Sequence, residues 1–102
     1  ISGGENISSV ELEGCLLTHP AVQEVAVVGM PHEKWGESPH AFVVLKEGIE
    51  ATEESLKFHV RDRLAHFKTP QMISFVEDLP KTATGKVQKY VLRKSAPGIV
   101  RQ

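Results

Sequence analysis

The run Val22-Gln23-Glu24-Val25-Ala26-Val27-Val28-Gly29-Met30 constrains the fold of this 102-residue chain more than any other stretch. β-Branched side chains are stiff at χ1 and pack well on a pleated surface, so the run predicts a strand. From Val25 onward it lacks the polar alternation of a half-solvated strand, which means cover on both faces. A second run, His40-Ala41-Phe42-Val43-Val44-Leu45, reads the same way over residues 39–46. The polar turn between them, residues 31–37, makes the two strands antiparallel neighbours. Met72-Ile73-Ser74-Phe75-Val76 alternates and predicts a third strand.

Helices fill the intervals. Ser8-Ser9-Val10-Glu11 has the form of a capping box, with Ser8 as N-cap and Glu11 at N3. It predicts a helix over residues 9–18 with Leu12, Cys15, Leu16 and His19 on its apolar face. His19-Pro20 ends it, because the residue before a proline avoids the α region. Thr52 is the expected N-cap of a second helix over residues 53–64, with Glu53 and Glu54 favouring the helix dipole. Leu56, Val60 and Leu64 share one face of that helix, and His59, Arg61, Asp62 and Arg63 are expected in solvent. A short basic helix is expected from Lys89 to Ala96. Ile1-Ser2-Gly3-Gly4-Glu5-Asn6-Ile7 reads as strand, glycine turn and strand. The sum is one α+β domain spanning residues 1–102: a small, roughly three-stranded sheet with helices packed against it, an N-terminal hairpin and a C-terminal lysine loop.

Composition removes several function classes. A formal net charge of −1 and a pI near 6.6 argue against a nucleic-acid footprint. No apolar run approaches the roughly 20 residues of a transmembrane helix. Cys15 is the single cysteine, so no internal disulfide can form, and a reducing, intracellular and cytoplasmic setting is expected. No secretory signal is visible, and Val100-Arg101-Gln102 matches no peroxisomal address. Cys15 and His19 are spaced i, i+4, but no second pair completes a metal site; a buried thiol and a helix-end histidine are expected. No metal-ligating residue is assigned.

Chemistry concentrates in Leu79-Pro80-Lys81-Thr82-Ala83-Thr84-Gly85-Lys86-Val87-Gln88-Lys89. Pro80 ends whatever precedes it. Thr82, Ala83, Thr84 and Gly85 then form a loop with little side chain to obstruct a close approach. Lys86 leaves that loop as a compact point charge with three donors, suited to a phosphate or carboxylate oxygen. A solvated basic loop is the ordinary alternative. A P-loop is excluded, since Pro80 stands where its first glycine belongs and Val87 replaces its magnesium-binding Ser/Thr.

Leu-Pro-Lys-Thr-x-x-Gly-Lys-Val-x-Lys resembles the C-terminal signature of the adenylate-forming (AMP-binding) enzymes, which include acyl-CoA synthetases, luciferases and peptide-synthetase adenylation domains. Two further segments, in the family's order, carry the same resemblance. Ser2-Gly3-Gly4-Glu5-Asn6-Ile7-Ser8-Ser9 is similar to the motif after the interdomain hinge, and Phe67-Lys68-Thr69-Pro70 to an aromatic-Lys pair leading into a proline. The resemblance implies that the chain is the rotating C-terminal domain of an acyl-CoA synthetase, working against a large N-terminal adenylation domain. Its start at Ile1 rather than Met agrees with a piece of a longer chain. The implied reaction joins carboxylate, ATP and CoA through an acyl-adenylate, with Mg2+ accompanying ATP. The chain alone is expected to be inactive and to hold none of these tightly.

Residue by residue, the resemblance implies that Lys86 contacts the substrate carboxylate and the ATP α-phosphate. It implies that Ser2, Gly3 and Gly4 line a pantetheine tunnel after domain rotation. Trp35, either a core plug or a contact surface by its residue type, would lie against the CoA nucleotide, as would Phe67 and Lys68, which by residue type read equally well as a core aromatic and a surface charge. Thr69 stands where many CoA ligases have arginine, a departure that weakens the case for nucleotide-phosphate contacts there. Glu5-Asn6 leans toward medium-chain and related CoA ligases. Two alternatives stay open: an enzyme loading a carrier protein or using oxygen as luciferase does, and a stand-alone binding module.

Overall fold

A computed structural model describes residues 7–32, 36–64 and 72–94. The described elements are α1 (Ile7–Leu17), β1 (Val22–His32), β2 (Gly36–Leu45), α2 (Glu53–Arg63), β3 (Met72–Phe75) and a helical turn, α3, over residues 89–94. The sheet order is β1-β2-β3, so the longest apolar runs lie side by side. β1 and β2 are antiparallel, with Val25 opposite Val43 and Val27 opposite Ala41. β3 runs parallel to β2, pairing Ile73 with Ala41 and Phe75 with Val43. A parallel return needs a crossover, and α2 supplies it.

Cover on both faces explains the continuous apolar strands. On one face Val27, Ala41, Val43 and Ile73 meet Leu12, Cys15 and Leu16 of α1 and Leu56 and Val60 of α2. On the other, Ala26, Val28, Phe42 and Val44 meet Leu79 and Leu92, with Val76 and Val87 packed alongside. The lysine loop and α3 therefore form the second layer of the domain. Ala41, Phe42 and Val43 in the middle strand have no solvent exposure at all.

Unpaired N–H and C=O groups on edge strands invite pairing with other chains unless something covers them. Glu13 of α1 accepts the Val27 N–H at 2.8 Å, and Arg93 of α3 donates from Nε to the Gly29 carbonyl at 3.1 Å. At the opposite edge, Glu53 accepts the Ile73 N–H at 3.1 Å. Each edge is thus stitched to a helix by a charged side chain.

Several local expectations change. α1 begins at Ile7, two residues earlier than expected, so Ser8 lies inside the first turn and cannot be the N-cap. Ile7 is helical and belongs to no hairpin strand; the rest of the expected hairpin, residues 1–6, falls outside the described residues. Leu12, Cys15 and Leu16 are buried as expected, whereas His19 follows the helix and is half-buried. Thr52 caps α2, reciprocally with Ser55: the Ser55 N–H donates to Thr52 Oγ1 at 3.0 Å and the Thr52 N–H to Ser55 Oγ at 3.2 Å. The strands reach into the turn expected over residues 31–37: β1 continues to His32 and β2 starts at Gly36.

His59 is the largest departure. Expected in solvent, it is 7% exposed. Its Nε2 lies 2.8 Å from Thr18 Oγ1 and 3.1 Å from the Cys15 carbonyl, and its ring meets the His19 ring edge-on. Thr18 also donates its hydroxyl to the Cys15 carbonyl at 2.6 Å. Burial, with the neighbouring Arg63 guanidinium second, pushes the His59 pKa below the usual histidine value. His40 is buried too, stacked on Phe42 with Nε2 2.9 Å from Ser74 Oγ, and burial lowers its pKa likewise.

Candidate functional site

Leu79 enters the core, and the chain then turns through a hairpin whose legs pair at Lys81 and Val87. The Thr82 N–H donates to the Lys86 carbonyl at 2.8 Å, and the Gly85 N–H to the Thr82 carbonyl at 2.9 Å. The Lys86 N–H donates to Thr82 Oγ1 at 3.1 Å, and that oxygen lies 3.0 Å from Thr84 Oγ1. Gly85 has φ +92°, which lets the chain turn into the returning leg without strain. The small residues thus do more than keep space clear. Thr82 uses both backbone and side chain to close the loop, so the tip holds a defined shape although Ala83, Thr84, Gly85 and Lys86 are all exposed.

Three lysines occupy this segment, and the fold treats them differently. Lys81 Nζ lies 2.8 Å from Glu24 Oε1, 3.1 Å from Glu24 Oε2 and 3.5 Å from Asp78 Oδ1. The hydrogen bond to Glu24 is the main reason the Lys81 pKa stands above the usual lysine value. Lys89 Nζ lies 2.7 Å from Glu13 Oε2, the oxygen that also accepts the Val27 N–H. Lys86 has no ion-pair partner among the described residues and projects into solvent. Two lysines hold the hairpin down; the third is presented. An ammonium so placed can approach an anion without first leaving a protein carboxylate.

Of the residues singled out from the sequence, only Lys86 lies in the described structure. Ser2, Gly3, Gly4, Trp35, Phe67 and Lys68 fall outside the described residues. Sequence reasoning missed Glu13 and Glu24, which hold the hairpin. Glu24 carried one signal, a carboxylate interrupting an otherwise apolar strand. Glu13 carried none, since a glutamate on a helix is ordinarily solvated.

A small α+β domain that presents one unpaired lysine on a tethered hairpin is the class that fold and site define. Residues 11–86 match the model of the AMP-binding enzyme C-terminal domain, and the chain belongs to that family. It is 53% identical over 96 residues to a probable CoA ligase of Humulus lupulus, covering 92% of this chain and 17% of that protein. It is 51% identical over 96 residues to the peroxisomal trans-cinnamate:CoA ligase of Petunia hybrida, covering 94% and 17%. The chain therefore spans under a fifth of the length of these relatives. Among solved structures, the acyl-CoA synthetase of Brucella canis superposes with a TM-score of 0.82 at 43% identity, covering 97% of this chain and 19% of that one. ATP-bound MatB from Rhodopseudomonas palustris gives 0.85 at 39%, covering 97% and 20%.

Proposed function

We propose that this chain is the C-terminal domain of an acyl-CoA ligase, in which Lys86 supplies the ammonium for adenylation. The observation that carries the reading is the contrast among the three hairpin lysines, found in a chain about half identical to plant CoA ligases. When a carboxylate attacks the ATP α-phosphate, negative charge crowds at one centre. A positioned ammonium stabilises that charge more in the transition state than in the ground state. Lys86, held by a closed hairpin, meets that requirement with little reorganisation.

The remainder of the active site would come from a large N-terminal domain of the same protein, and the relatives' length supports this arrangement. After adenylation, rotation would withdraw Lys86 and bring Ser2, Gly3 and Gly4 to the pantetheine arm, with Trp35, Phe67 and Lys68 beside the CoA nucleotide. Mg2+ would enter with ATP. Among the described residues no group of three or more His, Cys, Asp or Glu is placed to hold a metal ion. The acid is a small carboxylate of the kind named in the relatives, 2-methylpropanoate or trans-cinnamate. Free CoA is preferred to a carrier protein because both of those relatives are named as CoA ligases. Among the described residues no helix is long and apolar enough to cross a membrane. An intracellular location is proposed, supported by the single buried thiol.

The test is the Lys86→Ala variant of the full-length protein, assayed separately for pyrophosphate release and for CoA attack on preformed acyl-adenylate. Adenylation should fall by about 100-fold or more, the scale of losing one charge-stabilising donor, with thiolation nearly unchanged. Equal losses in both half-reactions would refute the assignment.

A further inference from the structure

Packing alone does not explain how Lys86 is aimed. Leu79, Val87 and Leu92 press the segment onto the sheet, but apolar contact is non-directional and sets depth rather than azimuth. The hairpin tip has no apolar anchor of its own, since residues 83–86 are exposed. Direction must come from the two legs. The incoming leg is held by Lys81, whose ammonium reaches both oxygens of Glu24 on β1. The outgoing leg is held by Lys89, paired to Glu13 on α1. Glu13 is itself oriented, because the oxygen that meets Lys89 also accepts a backbone N–H from β1. The first tie ends on β1 itself, the second reaches β1 through Glu13 and the Val27 N–H, and Arg93 adds a third contact to that strand at the Gly29 carbonyl.

We propose that Glu24 and Glu13 are positioning residues for adenylation: two ion pairs, one on each leg of the hairpin, clamp it to the β1 edge and fix the direction in which Lys86 is presented. The proposal rests on the reading of Lys86 as the adenylation lysine. It assigns a catalytic consequence to carboxylates that never touch substrate. Both pairs are only partly buried, with side chains 21–31% exposed, and ion pairs that reach solvent contribute little to stability, so a clamp of this kind should reveal itself more in rate than in melting temperature. Misplacing a catalytic group by about 1 Å can cost on the order of 100-fold in rate.

The experiment uses the full-length protein with Glu24→Gln, Glu13→Gln and the charge exchange Glu24→Lys/Lys81→Glu, the exchange made together with Asp78→Asn because Asp78 Oδ1, 3.5 Å from Lys81 Nζ, would otherwise repel the new carboxylate. Each is measured for acyl-adenylate formation, for thiolation of preformed adenylate, for thermal melting, and for hydrogen exchange of the hairpin amides. Glu24→Gln and Glu13→Gln should each slow adenylation by about 10- to 100-fold while thiolation stays within about twofold. Hairpin exchange should quicken, with melting little changed. The charge exchange should restore most of the adenylation rate. Unaltered adenylation in both Gln variants, or parallel loss of both half-reactions, would overturn the proposal. So would failure of the charge exchange to recover adenylation in a protein that melts normally. Hydrogen exchange separates the two readings. Quickened hairpin exchange beside a Lys86→Ala enzyme with full adenylation would mean that the clamp exists but the role of Lys86 is wrong.

Discussion

Replacing Gly85 with alanine isolates the cost of one backbone angle. A Cβ built at Gly85 meets no atom within 4 Å, so neither a clash nor new packing contributes. What remains is φ at +92°, a conformation that L side chains rarely adopt. Holding a non-glycine residue in the left-handed region costs about 1–2 kcal/mol. Against this, alanine restricts the unfolded chain and returns roughly 0.4–1 kcal/mol. The net expectation is a loss of about 1 kcal/mol. For a domain of this size that corresponds to a fall of about 4–8 °C in Tm. With m of about 1–3 kcal/mol/M, the urea midpoint should drop by about 0.3–1 M without a change in slope. Gly48 is the internal control: its φ is +78° and its Cβ position is equally open, but it lies in the turn after β2. Gly48→Ala should lose similar stability and, under the adenylation role proposed for Lys86, leave that reaction of the full-length protein intact, whereas Gly85→Ala should lower both. A Gly85→Ala chain as stable as the parent would refute the reasoning, because the positive φ would then be a choice of the loop rather than a requirement.

Leu56→Ala should cost about 2–5 kcal/mol, since the side chain is wholly buried between α2 and the sheet. Phe58→Ala, on the opposite face of α2 and 65% exposed, should stay within about 0.5 kcal/mol; chemical denaturation of both variants checks the pair. Acidification should destabilise the chain through His40 and His59, whose burial favours their neutral forms. Below their ordinary value of 6.5 the unfolded chain binds protons more readily than the folded one. Stability is therefore complete above that pH and is lost as pH falls through the depressed folded values. Urea midpoints measured across this range should fall less steeply for His59→Gln than for the parent; parallel curves would exclude His59 as a contributor.

Local chemistry settled much of this protein before any tertiary contact formed. Apolar continuity over β1 and β2 implied two covered faces, because an uncovered face would carry polar residues at alternate positions. Thr52 marked the start of α2, because its side chain satisfies a helix-end N–H within the same turn. Pro80, the threonines and Gly85 marked a tight loop that presents a lysine. Those signals depend on residues a few positions apart, and they can be read in order. At α1 the local signal was too weak to place the boundary: Ser8 and Glu11 match a capping box, yet the helix begins before them.

Long-range pairing decided the rest. The parallel direction of β3 follows from where α2 packs, and nothing in residues 72–76 distinguishes it from an antiparallel strand. His59 has the polarity of a solvated helix residue, and only the approach of Cys15 in α1 and Thr18 just after it makes a buried site for it. Lys81, Lys86 and Lys89 are chemically alike in sequence, where only the place of Lys86 at the end of the small-residue loop and the family resemblance set it apart. In the folded chain Glu24 and Glu13, distant in sequence, neutralise the first and last and leave the middle one exposed. Charge is a property of the residue; the partner that neutralises it is a property of the fold.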